Sequence, residues 1–332
     1  MKRGFFRADD GSIEARGAKG WANNYQKAVE NYVTMWDELF EKAQEADEFQ
    51  FIFALLRFRG IVYPGWDTFE NTIDAFEGAM RAGRKVDGTR RLNIVLWLYG
   101  HIVEASDHYE IIATMVNIAG GGAYRAWNFP KIKTPRGMRE QTPNEKILEI
   151  KKRCKSLGLK DYSQPFEEVL DKDLRNAVYH SDYSVFMGMV RFRNASGYDV
   201  EYDAEKTNLK INQAMALHET IKNLYRGYTA SYTEPKIIDA SPGFSPGQPM
   251  KAQVIVRKKH GVMAIQETPN NPGSFSCGVY KPGEQEKIKK GIYLLPPSRT
   301  DRLNRFLDRL PLSIARKVLK LYNFFFDAAK HS

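Results

Sequence analysis

Cysteine is nearly absent from this chain: Cys154 and Cys277 are the two in 332 residues. Thiols so few and so far apart build neither a disulfide framework nor a zinc cluster, so a reducing, cytoplasmic setting is the expectation. No apolar run approaches the roughly 18 residues a membrane span needs. The opening MKRGFFRADDG has no apolar core of the kind a secretory signal carries, and no membrane association is expected. Internal repeats and low-complexity tracts are also missing. The glycines Gly120, Gly121 and Gly122 are not followed by the Lys-Ser/Thr of a phosphate-binding loop. No His/Cys spacing suits zinc and no carboxylate cluster suits magnesium, so neither a metal nor a cofactor is expected.

What remains is a folded, basic protein. An apolar fraction of 42% with 12% aromatics supports a packed core, in a chain long enough for two domains. The net charge of +10 and a pI near 9.3 favour a polyanionic partner, and nucleic acid is the commonest.

The chain is organised around residues 163–185, SQPFEEVLDKDLRNAVYHSDYSV. Phe166, Val169, Leu170, Leu174, Ala177 and Val178 recur at three- and four-residue steps, which predicts one helix with a buried stripe. Within it, L-R-N-A-V-Y-H places Arg175, Asn176 and His180 inside six residues. Arginine offers planar donors that match a phosphate. Histidine is the side chain that exchanges protons near neutral pH. Asparagine can hold an imidazole or a ribose hydroxyl.

At about 100° per residue, Asn176 and His180 share a face while Arg175 points roughly 140° away from His180. In one straight helix the three do not converge. A kink, an extended substrate or a second copy facing the first would bring them together. The ordinary role for Arg175 is an ion pair with Asp171 one turn back, and for His180 a favourable place at the helix end.

The segment LRNAVYHSDYSV, followed by the strand-like MGMVRFRN, resembles the R-N-x-x-x-H segment of the HEPN superfamily, the helical domains of prokaryotic RNase toxins and antiviral effectors. Arg175, Asn176 and His180 fit the motif positions in turn, and the resemblance is specific over about a dozen residues within 89–230. It implies a HEPN-like helical bundle that pairs as a homodimer and either cleaves RNA or only binds nucleotides or partners, with an antitoxin or defence-system protein as a further partner. Asp182 and Tyr183 follow directly, either bonding His180 or capping the helix.

The rest of the chain is expected to be mainly α. Residues 1–23 read as a loose arm, and helices are predicted from Tyr25, over 49–58 and over 68–81, their aromatic stripes taken as core. Residues 89–119 read as one central helix with His101 and His108 near one face; either could border the motif helix. A basic region follows, with Lys131, Lys133, Arg136 and Arg139, then Lys146, Lys151, Lys152, Arg153 and Lys155 on a helix. Lys151, Lys152 and Arg153 are the candidate phosphate contacts. A hairpin turns at Asn194–Gly197, a helix fills 205–229 with His218 structural, and 233–250 reads as a Pro/Gly linker. From 250 to 332 strands precede a basic terminal helix over 300–329. The expected division is an N-terminal helical segment (1–88), a HEPN-like domain (89–232) and a small C-terminal α/β appendage (250–332).

Overall fold

The computed structural model describes residues 18–57, 68–86, 88–241, 250–258, 260–267 and 276–278. Residues 1–279 form one compact unit and 280–332 a second. The terminal helix expected over 300–329 falls in that second unit, outside the described residues.

The fold is mainly helical, with small sheets. In chain order come α1 (Ala18–Ala46), α2 (Glu48–Arg57), α3 (Thr68–Gly83), α4 (Gly88–Glu104), α5 (Ser106–Ala119), the hairpin β1 (Ile132–Thr134) and β2 (Gly137–Arg139), α6 (Pro143–Ser156), α7 (Gln164–Val169) and α8 (Lys172–His180). A meander follows, β3 (Tyr183–Phe186), β4 (Met189–Arg193) and β5 (Asp199–Tyr202), then α9 (Ala204–Ser231). The antiparallel sheet β6 (Lys236–Asp239), β7 (Lys251–Arg257), β8 (Gly261–Glu267) and β9 (Ser276–Gly278) closes the described chain.

The aromatic stripes pack as core. Tyr32, Trp36, Leu39, Phe40 and Ala43 bury one face of α1, each large side chain contributing about 1.5–3 kcal/mol by leaving water. That face lies along α9 and α5. Phe40 packs at a tilt against Tyr228, ring centroids 5.1 Å apart, and the Tyr228 hydroxyl donates to Asp37 Oδ1 at 2.8 Å. Trp36 Nε1 donates to the carbonyl of Tyr162 at 3.1 Å. The buried cluster is continuous from Ala28 on α1 to Ile265 on β8.

Two helices expected whole are each broken, and both breaks matter for the site. The stretch 89–119 divides at Ala105, which is extended with ψ 104°. The carbonyls freed there are taken by side chains of α5: Tyr109 donates to Val103 at 2.7 Å, and His108 Nδ1 lies 3.3 Å from the carbonyl of Ile102. The break rotates α5 against α4, so His101 and His108 do not share a face. His101 is exposed, whereas His108 is fully buried against His218 of α9, Nε2 to Nδ1 at 3.1 Å.

The motif stretch likewise divides into α7 and α8 at Leu170 and Asp171. Asp171 leaves the helical conformation to cap α8, its Oδ1 accepting from Leu174 N at 3.0 Å, as N-cap aspartates do. Tyr99 of α4 holds the break open: its hydroxyl donates to the carbonyl of Val169 at 3.1 Å and accepts from Asp171 N at 3.0 Å.

Three smaller expectations also change. Residues 18–23 belong to α1 and not to an arm. Residues 184–193 fold back on themselves at Met187–Gly188, both at positive φ, which makes the expected hairpin a three-stranded sheet. Within the expected linker, Lys236–Asp239 is a strand paired with β7. The tight β7–β8 turn is pressed against α9: a Cβ on Gly261 would lie 1.8 Å from the carbonyl oxygen of Thr229.

Candidate functional site

The site is a seam between α4 and α8, and Gly100 makes it narrow. A Cβ at Gly100 would sit 3.0 Å from Val178 Cγ1, so a larger residue would push the helices apart. Three pairs of side chains run along the seam in opposite chain directions. Trp97 donates a hydrogen bond to the Tyr183 hydroxyl, His101 lies against Tyr179 with ring centroids 6.1 Å apart, and Glu104 is paired with Arg175. The two helices are therefore antiparallel. Burial pushes the Tyr183 hydroxyl pKa up, and the bond from Trp97 opposes it.

Arg175 is held on three sides. Glu104 accepts from its Nε and faces a terminal nitrogen, Asn176 Oδ1 accepts from Nη1 at 2.7 Å, and the Tyr179 ring lies beneath the guanidinium at 5.3 Å. About two of the guanidinium's five N–H donors are left without a partner among the described residues. The pair is not deeply buried, since both side chains are 22% exposed. The pairing with Asp171 is not made, because that carboxylate caps α8 and accepts from the Tyr202 hydroxyl at 2.6 Å.

His180 is the last residue of α8; it is exposed and makes no hydrogen bond to another described side chain. Leu174, Ala177 and Val178 fix the buried direction. At about 100° per residue, Arg175 and Tyr179 then fall on the α4 side, while Asn176 and His180 fall on the far side. Arginine and histidine diverge within one chain, as the spacing requires. Ser181 ends the helix at φ 59°, and Asp182 N donates to the Ala177 carbonyl at 2.8 Å. Asp182 thus caps through its backbone and leaves its carboxylate exposed. Tyr183 opens β3.

The three consecutive cations of α6 point three ways. Lys151 lies 2.7 Å from Glu167 Oε1 and 3.4 Å from Asp161 Oδ2. Arg153 bonds Glu149 at 3.0 Å and Asn128 Oδ1 at 2.9 Å, and lies over the Phe129 ring. Of the three, Lys152 is the one left exposed without an ionic partner among the described residues. Lys146, further back on α6, is buried and donates to Ser106 Oγ at 2.8 Å; burial lowers its pKa, against the pull of Glu110 and Glu104.

No family model, no curated protein and no solved structure matches this chain. The seam is read from its own chemistry. It joins a fixed, partly neutralised guanidinium, the exposed imidazole of His101 and exposed aromatic faces at Trp97 and Tyr179, with Asn176 and the exposed His180 round the far side of α8. Among the described residues, no group of three or more His, Cys, Asp or Glu is placed to hold a metal ion. No helix among them is long and apolar enough to cross a membrane.

Sequence reasoning missed Glu104, Tyr179 and Trp97. A signal was present: Trp97, His101 and Glu104 stand at four- and three-residue steps on a helix otherwise rich in apolar residues, which marks one exposed stripe.

Proposed function

We propose that the chain is a metal-independent endoribonuclease of the HEPN toxin or antiviral type. The carrying observation is the setting of Arg175, half-buried at a helix seam with its guanidinium plane fixed by Glu104, Asn176 and the Tyr179 ring. Such a group meets a phosphodiester with its direction already set. In this reading Arg175 stabilises charge on the non-bridging oxygens, His180 moves a proton at the 2′-OH or the leaving 5′ oxygen, and Asn176 orients Arg175. The 2′-OH attacks the adjacent phosphorus, leaving a 2′,3′-cyclic phosphate upstream and a 5′-OH downstream. Because Arg175 and His180 diverge across α8, both reach one phosphate when the strand lies across the helix or when two copies pair motif to motif.

The test is purified protein with total RNA and with DNA, in EDTA, beside Arg175→Ala and His180→Ala. RNA cleavage that survives EDTA, leaves cyclic phosphate ends and falls by about a hundredfold or more in either variant is expected. Equal cutting of DNA, or activity lost in EDTA and restored by Mg²⁺, refutes the mechanism.

The Glu104 carboxylate also favours a second reading. With its charge paired, Arg175 suits a site that binds RNA, a nucleotide or a partner protein without turnover. RNA bound but never cut by wild-type protein selects that reading.

A further inference from the structure

Ser106 opens α5 and is exposed, whereas Lys146 on α6 is only 6% exposed. The lysine Nζ bonds Ser106 Oγ at 2.8 Å and lies over the rings of Tyr109 and Phe129, 5.5 and 5.9 Å from their centroids. A lysine so enclosed ordinarily meets a carboxylate, yet among the described residues this one forms no ion pair. Four acids pull on it from further off, in falling order Glu110, Glu104, Glu140 and Asp107. The first three are answered by other groups: Glu110 by the Asn128 backbone and side-chain N–H at 3.0 and 2.9 Å, Glu104 by Arg175, and Glu140 by Lys131 at 2.8 Å. The two rings attract an ammonium, but more weakly than the water they displace. Burial outweighs the acids, so the amine gives up its proton more readily than an ordinary lysine.

An activated serine needs its hydroxyl in contact with a base that can take the proton. We propose that Ser106 and Lys146 form a second catalytic site, a serine–lysine pair that hydrolyses esters or thioesters. The 2.8 Å contact serves either protonation state, because a hydroxyl both donates and accepts. Neutral Lys146 takes the Ser106 proton as Oγ bonds to the carbonyl carbon. The ammonium returns that proton to the leaving oxygen or sulfur as its bond to carbon breaks. Water then attacks the acyl-serine and gives a proton to Lys146, which passes it to Oγ as the carboxylic acid departs. Negative charge on the carbonyl oxygen develops at the positive end of α5, where the cap residue Ala105 makes no side-chain bond. A pair of this size suits acyl groups with good leaving groups more than peptide bonds.

The experiment treats the full chain with a fluorophosphonate, which loses fluoride to an activated serine, and reads the Ser106 peptide by mass spectrometry across pH. Label should appear on Ser106 at a rate that rises with pH and is half-maximal below about 10.4, the ordinary lysine value. Lys146→Met, of similar length and apolar between the rings, should label about a hundredfold or more slowly. Hydrolysis of p-nitrophenyl acetate should drop to background in Ser106→Ala, a change at an exposed position. If circular dichroism shows Lys146→Met unfolded, the wild-type pH profile and Ser106→Ala still decide. A Ser106 that takes no label, a labelling rate without the rise, or equal rates in wild type and folded Lys146→Met overturns the proposal. Each leaves the pair as a brace between α5 and α6, and the ribonuclease reading is untouched.

Discussion

Lowering the pH from 7.5 to 5 should cost this fold about 4 kcal/mol through two residues, His108 and His218. Both are fully buried, and they are joined Nε2 to Nδ1 at 3.1 Å. The backbone fixes their protons. The carbonyl of Ile102 can only accept, so His108 Nδ1 carries hydrogen, and its Nε2 accepts from His218 Nδ1. The last nitrogen, His218 Nε2, has no partner. A proton added there would be a buried, unpaired charge beside the Phe76 ring. Burial accordingly lowers both pKa values, His108 to about 4, and the nearby cations Lys222 and Arg226 lower His218 further. Those cations are themselves answered by Glu77, Glu219 and Glu70.

An unfolded histidine titrates near 6.5. Below that pH the unfolded chain takes up protons that the folded chain refuses, so stability falls with pH. The loss is about 1.4 kcal/mol per pH unit per histidine, or about 2 kcal/mol each between pH 6.5 and 5. Urea unfolding followed by tryptophan fluorescence at pH 7.5, 6.5, 5.5 and 5 measures it. His218→Leu should be about 1–3 kcal/mol less stable at neutral pH, because His108 Nε2 loses its donor. Below pH 6.5 its stability should decline about half as steeply as that of wild type. A wild-type stability flat from pH 7.5 to 5, or equal slopes in the two proteins, refutes the neutral buried pair.

Glu104→Gln should lower stability by about 1 kcal/mol, as expected for a partly exposed ion pair, yet tighten binding of 2′-O-methyl RNA, read by fluorescence anisotropy. Gly100→Val should cost about 1–3 kcal/mol in thermal or urea unfolding by forcing α4 from α8, and activity should fall with it. Asp171→Ala removes the α8 cap and the acceptor of the Tyr202 hydroxyl, so a loss of about 2 kcal/mol in urea unfolding is expected. Lys152→Glu should weaken RNA binding without changing stability, and flatten the salt dependence by about 0.7 in slope if it neutralises one phosphate. Arg153→Glu should instead lower the melting temperature, since Arg153 ties α6 to Asn128 and Phe129.

The elements legible in the sequence are those whose apolar period runs uninterrupted, such as α1, α3 and α9, and the alternating pair β7 and β8. The breaks at Ala105 and Asp171 were not legible, because the groups that stabilise them are remote or ambiguous. Tyr99 reaches the α7–α8 break from 72 residues away, in a hydrogen bond no local pattern announces. Asp171 caps α8, yet the apolar stripe continues through it, so its residue pattern reads as one unbroken helix. The divergence of Arg175 and His180 was legible, because helical geometry alone dictates it. Glu104 was not, since it lies 71 residues from Arg175 and the closer Asp171 offered an equally good ion pair on paper. The cations at 151–153 show the converse: a run of charge in sequence becomes three environments once each turns about 100° on a helix.

The Glu104–Arg175 pair also decides what kind of site the seam can be. A neutral pair attracts a distant phosphate weakly, so first encounter must come from the net charge of +10. At short range the position reverses. Arginine carries about 2 kcal/mol of rotamer entropy, and folding has already restricted this side chain between Glu104, Asn176 and the Tyr179 ring. A phosphate that reaches the remaining N–H groups no longer has to order them. Little long-range pull combined with a preset short-range fit makes geometry, more than charge, the basis of selection. On the proposed ribonuclease reading, RNA and DNA would present the same phosphates to this surface, and the 2′-OH facing an imidazole would be the feature that separates them.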